Sequence, residues 1–455
     1  MRTNPILNTD SYKTSHFVQY PPGTEYVYSY IESRGGKFDR ILFFGLQAFI
    51  KEYLMTPVTA DDFWEAKNFC EAHGVPFNFN GWKYIVEDLN GYLPVEIHAV
   101  PEGTIVPTDN VLLTIVNTDP KVPWITSYLE TALLRAIWYP TTVATKSWHI
   151  KQDLKQAYSE TSDADPSEID FKLVDFGARG VSSNESAALG GLGHLVSFKV
   201  TDTMAAVLAA KRYYHEPMAG FSIPASEHST ITSWGKENEV DAYRNMIVQF
   251  GQSGKTFAVV SDSYDIWNAT ENLWGKELRD EVNNSGANLV IRPDSGDPVE
   301  TPVGVIKTLM ERYGYTVNNK GYKVLPKNIR VLQGDGINED TIVDILIRMT
   351  DDYRFSAENI VFGMGGGLLQ QVDRDTQKFA MKCSAIRVNG EWRDVYKEAP
   401  GKASKRGRLA LIKSDTPSGP KYTTVPHDGH VMSDIMRFVF RNGDLMIDED
   451  FATLS

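Results

Sequence analysis

The 455-residue chain is 42% hydrophobic and 23% charged, ordinary usage for a globular protein of two or three domains, and this argues against disorder as its main state. Its 46 lysines and arginines against 59 aspartates and glutamates leave a net charge of −13. That charge argues against a nucleic-acid or membrane-surface binder and leaves room for one small basic pocket holding a phosphorylated metabolite. The two cysteines, Cys70 and Cys383, lie outside any CxxC pair, so neither a disulfide framework nor structural zinc is expected. The N-terminal residues carry no apolar run of signal-peptide length, and no stretch approaches the ~18 apolar residues of a membrane span. A soluble, cytoplasmic protein is expected, with no nucleic-acid and no membrane partner.

Residues 1–145 are irregular, punctuated by Pro21-Pro22, Pro94, Pro101 and Pro107. Residues 95–117 read as short β segments broken by turns. Residues 123–160 read as mostly helical, with an interruption near Pro140. From about 170 a different rhythm begins. The apolar runs Phe171–Asp175, Leu195–Lys199, Gly220–Ile223, Phe257–Val260, Leu289–Ile291, Ile329–Leu332 and Ile360–Phe362 each lead into a polar or Gly-rich cluster. These clusters are, in order, DFGARG, TDT, PASEH, SDS, RPDSG, QGDG and GMGGG. A helical pattern follows most of them. Such units are the βα repeats of a parallel sheet covered on both faces, and a complete or slightly broken (β/α) barrel is expected. After about 378 the pattern returns to β, with Asn389-Gly390 as a hairpin signal and a basic loop at 402–408. The expected fold class is α/β. An irregular (β/α) barrel-like domain spans 151–379, and a second α+β domain is built from both chain ends, 1–150 and 380–455.

In such barrels the chemistry sits at the carboxyl ends of the strands. Those ends carry Asp175, Phe176, Arg179, Asp202, Glu227, His228, Asp262, Arg292, Asp294, Asp335 and Gly365-Gly366-Gly367. A triple glycine between strand and helix lets backbone N–H groups close on a phosphate; the plain alternative is a tight turn. Asp294 and Asp335, in Asp-Ser-Gly and Gly-Asp-Gly, could bind ribose hydroxyls or Mg²⁺, or simply make Asx turns. His228 could serve as a base, a phosphate acceptor or an electrostatic partner. The other eight histidines are read as structural. Phe176 and Arg179 could supply a stacking face and an anion clamp. The DFG triplet lacks the other kinase motifs. GQSGKT at 251–256 precedes a strand and lacks the first glycine of a phosphate loop. Arg34, Arg179, Arg292, Arg374, Lys382, Lys397 and Lys402 are the candidate cations for a sugar phosphate.

Several long motifs carry a resemblance. TDSYKTSHFVQYPPGT (9–24), DFGARGVSS (175–183), PASEHSTITSWGK (224–236), VVSDSYDIWN (259–268), IRPDSG (291–296), QGDG (333–336) and FGMGGGLLQ (362–370) stand in one order. On these the chain resembles the nicotinamide phosphoribosyltransferase family over nearly its whole length. The resemblance implies a homodimer with shared active sites. It implies condensation of nicotinamide with phosphoribosyl pyrophosphate, with Mg²⁺, to nicotinamide mononucleotide and pyrophosphate. ATP would improve turnover through a phosphohistidine at His228, oriented by Glu227 and Asp262.

By motif, Phe176 and the partner copy's Tyr12 would stack on the two faces of nicotinamide, and Asp202 would accept from its amide. Arg292 and Asp294 would hold the ribosyl part, with Asp294 on the hydroxyl or metal side. Gly334, Asp335, Gly365 and Gly366 would line ribose and 5′-phosphate, with Arg374 and Lys382 reaching that phosphate. Arg34, Arg179, Lys397 and Lys402 would contact pyrophosphate or ATP. Ala178 stands where animal members carry tyrosine. Two alternatives remain open at this point: a nicotinate-specific relative and a non-catalytic nucleotide-binding homologue.

Overall fold

The computed structural model describes residues 3–398, 404–417, 419–427, 429, 431 and 433–454; Lys402 falls outside them. The chain divides into two compact units. One comprises Met1–Thr145, Ala209–Glu216 and Val372–Ser455; the other comprises Lys146–Leu208 and Pro217–Gln371.

The first unit is built on a seven-stranded antiparallel sheet. Its strands, in spatial order, are Glu391–Asp394, Phe379–Val388, Thr24–Ser33, Val111–Asn117, Val95–Ala99, Arg437–Arg441 and Asp444–Leu445. Both chain ends therefore enter one sheet, since Thr24–Ser33 pairs with Phe379–Val388. The Asn389-Gly390 hairpin forms as its residues dictate. Both adopt positive φ, 50° and 83°, as a two-residue type I′ turn requires. The short β segments expected at 95–117 are present as Val95–Ala99, Ile105–Pro107 and Val111–Asn117. Tyr30, Ile97, Leu113, Ile115, Phe379 and Phe440 are buried from the sheet, together with Phe63, Trp82 and Ile85 from the helices Ala60–His73 and Phe79–Asp88. The first of these helices opens with a capping box between Thr59 and Asp62.

The expected break at Pro140 does not occur: one helix runs from Glu130 to Thr161. Proline removes one N–H and crowds the preceding turn. The neighbouring threonines hold the helix through it. Thr142 Oγ1 donates to Trp138 O at 2.5 Å, Thr145 Oγ1 to Thr141 O at 2.6 Å and Thr141 Oγ1 to Phe44 O at 2.9 Å. Gly45 makes room for the ring, since a Cβ there would lie 2.5 Å from Pro140 Cγ.

The second unit carries a curled parallel sheet. Its strands are β1 (Leu173–Asp175), β2 (Thr256–Val260), β3 (Asn288–Arg292), β4 (Ile329–Gln333) and β5 (Ile360–Met364), in the order β1-β5-β4-β3-β2. Single parallel bridges continue it: Asp175 to Thr201, Val200 to Phe221, and Ala225 to Ala258 in β2. The circuit thus passes through seven segments, one for each apolar run in the sequence. One run is displaced. Leu195 closes the helix Asn184–Leu195, and the bridging residues are Val200 and Thr201 rather than Leu195–Lys199. Ala258, Val290 and Leu332 pack together inside the curl, with Val174, Phe176 and Val361 against them. Polar side chains fall mostly at the ends of these strands, as at Asp175, Thr256, Asn288, Arg292 and Gln333, with Arg330 the exception inside β4.

Candidate active site at the carboxyl ends of the parallel strands

The DFGARG turn is set by Asp175. Its carboxylate is fully buried and accepts the Gly177 N–H at 2.7 Å and the Thr201 hydroxyl at 3.4 Å. The chain therefore turns sharply after β1, and the Phe176 N–H reaches Met364 O at 3.0 Å. The Phe176 ring lies directly on Gly363, where a Cβ would come within 2.1 Å of the ring. It also borders Gly334, whose Cβ position lies 3.6 Å from the ring and 3.5 Å from Asp294 Oδ1. The Arg292 guanidinium stands 5.8 Å from the ring centroid and donates from Nη2 to Asp294 Oδ2 at 2.9 Å. Arg292 Nε is buried with no hydrogen-bond partner among the described residues. A buried donor of that kind calls for an acceptor, and a ligand oxygen can provide one. Gly365 completes this group; its Cβ position lies 3.5 Å from Phe176 O.

A second group adjoins it through the loop after β3. His228 Nε2 meets Asp262 Oδ1 at 2.9 Å, and Ser295 Oγ donates to Asp262 Oδ2 at 2.5 Å. The Asp262 side chain is 5% exposed and that of His228 47%, so the carboxylate is held from beneath while the imidazole faces outward. With Nε2 donating to Asp262, Nδ1 is the nitrogen left with a lone pair. Glu227 does not orient His228 as expected. Its carboxylate accepts from the Ser229 hydroxyl and its N–H reaches Thr230 Oγ1 at 3.2 Å, so it serves the start of its own short helix. Asp202 is exposed, and its Oδ1 accepts from Ser222 Oγ at 2.5 Å. Asp335 and Arg179 are exposed on their loops.

Five expected residues belong to the other unit: Tyr12, Arg34, Arg374, Lys382 and Lys397. Arg34, Lys382 and Lys397 line one cavity of about 360 Å³ with Glu32, Cys383, Tyr396 and Ser404. Arg374 is not among these lining residues; it is exposed and pairs with Asp375 at 3.3 Å. Tyr12 is 61% exposed and meets His16 edge-on at 4.9 Å. Sequence reasoning overlooked Ser295 and Ser222, the hydroxyls on Asp262 and Asp202. Ser295 lies inside the strand-end cluster RPDSG, where it also fits an Asx turn, and Ser222 lies inside the run Gly220–Ile223, where a lone serine carries no signal.

The match to known proteins accords with this geometry. Residues 171–443 match the nicotinate phosphoribosyltransferase (NAPRTase) family, and residues 4–97 match the nicotinamide phosphoribosyltransferase N-terminal domain. A nicotinamide phosphoribosyltransferase from Xanthomonas campestris pv. campestris is 58% identical over 413 residues, 90% of this chain and 88% of that protein. The chain belongs to the nicotinamide phosphoribosyltransferase family. The nicotinamide phosphoribosyltransferase of Acinetobacter baylyi is 33% identical across 91% of this chain and 89% of its own length. Among solved structures, nicotinate-nucleotide pyrophosphorylase from Pyrococcus furiosus shares the fold, with a TM-score of 0.63 at 15% identity over 99% of this chain and 93% of that one. Human nicotinic acid phosphoribosyltransferase shares it with a TM-score of 0.54 at 14% identity over 98% and 91%. The chain is thus a phosphoribosyltransferase of NAD biosynthesis. Among the described residues, no helix is long and apolar enough to cross a membrane.

Proposed function

We propose that the reaction joins nicotinamide to phosphoribosyl pyrophosphate and releases pyrophosphate. The observation that carries this reading is the convergence of the Phe176 ring, the Arg292–Asp294 pair, Gly334 and Gly365 at one end of the parallel sheet. The ring offers a stacking face for the pyridine. Asp202, braced by Ser222, offers its second oxygen to the carboxamide NH₂; a nicotinate carboxylate there would meet like charge. Asp294 Oδ1, beside Gly334, would accept from ribose hydroxyls, and the glycine loop at 365–367 would take the 5′-phosphate.

As the carbon–oxygen bond to pyrophosphate breaks, positive charge grows at the anomeric carbon, and the pyridine nitrogen supplies the electron pair that forms the new bond. That nitrogen carries no proton, so no general base is required. The chain's task is alignment and neutralisation of the leaving group. Arg292, Arg179 and the cations lining the 360 Å³ cavity, Arg34, Lys382 and Lys397, fit that task. We include Tyr12 and these cations as contributions from a second copy in a homodimer, with Arg374 reaching the 5′-phosphate. Mg²⁺, when bound, would screen the pyrophosphate oxygens. Asp294 suits it as a single hard oxygen donor, since such sites take one or two carboxylates and fill the rest with water and phosphate.

ATP stimulation fits the same site. His228 Nδ1 would take the γ-phosphoryl group, forming N–P as the bond to the ADP oxygen breaks, while Asp262 holds Nε2–H. The thiols of Cys70 and Cys383 are free, which suits a reducing, cytoplasmic setting. The test is product formation from labelled nicotinamide and phosphoribosyl pyrophosphate with Mg²⁺, beside nicotinate, with and without ATP. Turnover of nicotinamide that falls in Asp202→Ala, and an ATP enhancement that vanishes in His228→Ala, are the expected results. Turnover of nicotinate in its place would overturn the role of Asp202.

A further inference from the structure

Sequence reasoning gives His194 an ordinary structural role, yet its surroundings are unusually specific. It sits in the last turn of the helix Asn184–Leu195 and is fully buried. Nε2 lies 3.1 Å from Leu173 O and 3.2 Å from Val200 O, and Nδ1 lies 2.9 Å from Ser147 Oγ. Two carbonyl oxygens can only accept, so Nε2 must carry the proton and share it between them. Nδ1 is then an acceptor, and Ser147 donates. Burial lowers the pKa of the ring, in keeping with a neutral imidazole. Phe198 stacks on it with ring centres 5.2 Å apart.

The two carbonyls belong to neighbouring segments of the curled sheet, β1 and Val200–Thr201. Between these segments the ladder is reduced to a single bridge, Asp175 to Thr201. Each leads within three residues to a side chain of the site: Leu173 to Phe176 and Val200 to Asp202. That bridge is made by the Asp202 N–H on Asp175 O at 3.0 Å, and the Thr201 hydroxyl adds a longer contact to the Asp175 carboxylate at 3.4 Å. Where a full ladder would fix the spacing of two strands, an imidazole N–H does so here.

We infer that His194 is a positioning residue for base binding, a side-chain clasp whose one proton ties the Phe176 strand to the Asp202 strand and sets the gap a pyridine amide must fit. This rests on Phe176 and Asp202 being the base site. Arg179 shares the turn after β1, but Arg292, Asp294 and the glycine loop at 365–367 lie on other strands, so the clasp acts chiefly on the base.

The test uses the full chain. His194→Leu keeps the volume apolar and removes the proton; His194→Gln restores N–H donors that can reach both carbonyls. His194→Leu is expected to raise KM for nicotinamide roughly tenfold with KM for phosphoribosyl pyrophosphate unchanged, and His194→Gln to recover most of the loss. Should His194→Leu fail to fold, Ser147→Ala, which leaves Nδ1 without its donor, is expected to raise KM for nicotinamide alone by a smaller factor. Imidazole ¹⁵N shifts of the unsubstituted enzyme should show His194 neutral and protonated at Nε2. Equal rises in both KM values, no rescue by glutamine, or an Nδ1-protonated ring would each overturn the clasp. Phe176→Ala separates the two claims. If it leaves KM for nicotinamide unchanged, the base site is misassigned; if it raises that KM while His194→Leu does not, the clasp alone is wrong.

Discussion

Glu102→Gln offers a quantitative test of how the first unit is held together. Glu102 is partly buried, and desolvation pushes its carboxyl from the usual 4.5 up to about 7. The Tyr214 hydroxyl at 2.7 Å and the Gln47 N–H at 2.8 Å favour the ion but do not outweigh desolvation. The sign follows directly. Between pH 4.5 and 7 the folded chain keeps a proton that the unfolded chain has released, so the folded state loses stability as pH rises through that window. At about 1.4 kcal/mol for each tenfold change in proton affinity, the loss amounts to about 3 kcal/mol above pH 7. Glutamine occupies the same space, accepts from the Gln47 N–H and never ionises. The assay is urea unfolding of both proteins from pH 4 to 8. Glu102→Gln is expected to match the unsubstituted chain near pH 4 and to exceed it by about 3 kcal/mol at pH 8. Parallel stability curves across that range would refute the assignment of a partly buried, near-neutral carboxyl.

Three other expectations follow from particular contacts. Gly363→Ala places a methyl where Phe176 lies, 2.1 Å from the ring, and should cut kcat/KM for nicotinamide on the order of 10²-fold, as a displacement of about 1 Å does; in a Phe176→Ala background the same change should cost nothing further. Lys172 is buried and its amine is pushed down to about 7 from 10.5, so its penalty is present in full below pH 7 and relieved as pH rises toward 10.5. Lys172→Met should therefore flatten the rise in stability between pH 7 and 10, measured by denaturant unfolding. Thr59→Ala removes a two-way cap on the helix Ala60–His73 and should lower stability by about 1 kcal/mol in the same assay.

The parallel strands are legible in sequence because a strand buried on both faces is apolar through its centre, and Phe257–Val260, Leu289–Ile291 and Ile360–Phe362 all read that way. Asn389-Gly390 is legible because few residue pairs tolerate two positive φ values. The segment at 195–201 misleads, because Leu195, Val196 and Phe198 are apolar for another reason: they close a helix and pack on a buried histidine. Pro140 misleads because Thr142 and Thr145 bond back to Trp138 O and Thr141 O within the helix and Thr141 bonds to the distant Phe44 O, so the turn the proline weakens is held by hydroxyls. The site shows the same division. Strand-end position marks Phe176, Asp262, Arg292 and Asp294, since topology alone puts them on one rim. Which hydroxyl braces which carboxylate depends on side-chain direction, and Ser222, Ser295 and the bond of Glu227 to Ser229 carry no periodic signal.

The antiparallel sheet also has a consequence in time. Thr24–Ser33 takes Val111–Asn117 on one side and Phe379–Val388 on the other. During synthesis at ~5–20 residues per second, the second neighbour follows the first strand by on the order of tens of seconds. The segments of the inserted unit, which ends at Gln371, have all emerged by then, so it can close its curl while the earlier sheet still shows a bare edge. Such an edge pairs with whatever strand reaches it first. For this chain the vulnerable moment therefore falls late in translation, and a premature stop between residues 371 and 379 leaves a complete inserted unit attached to an aggregation-prone half sheet.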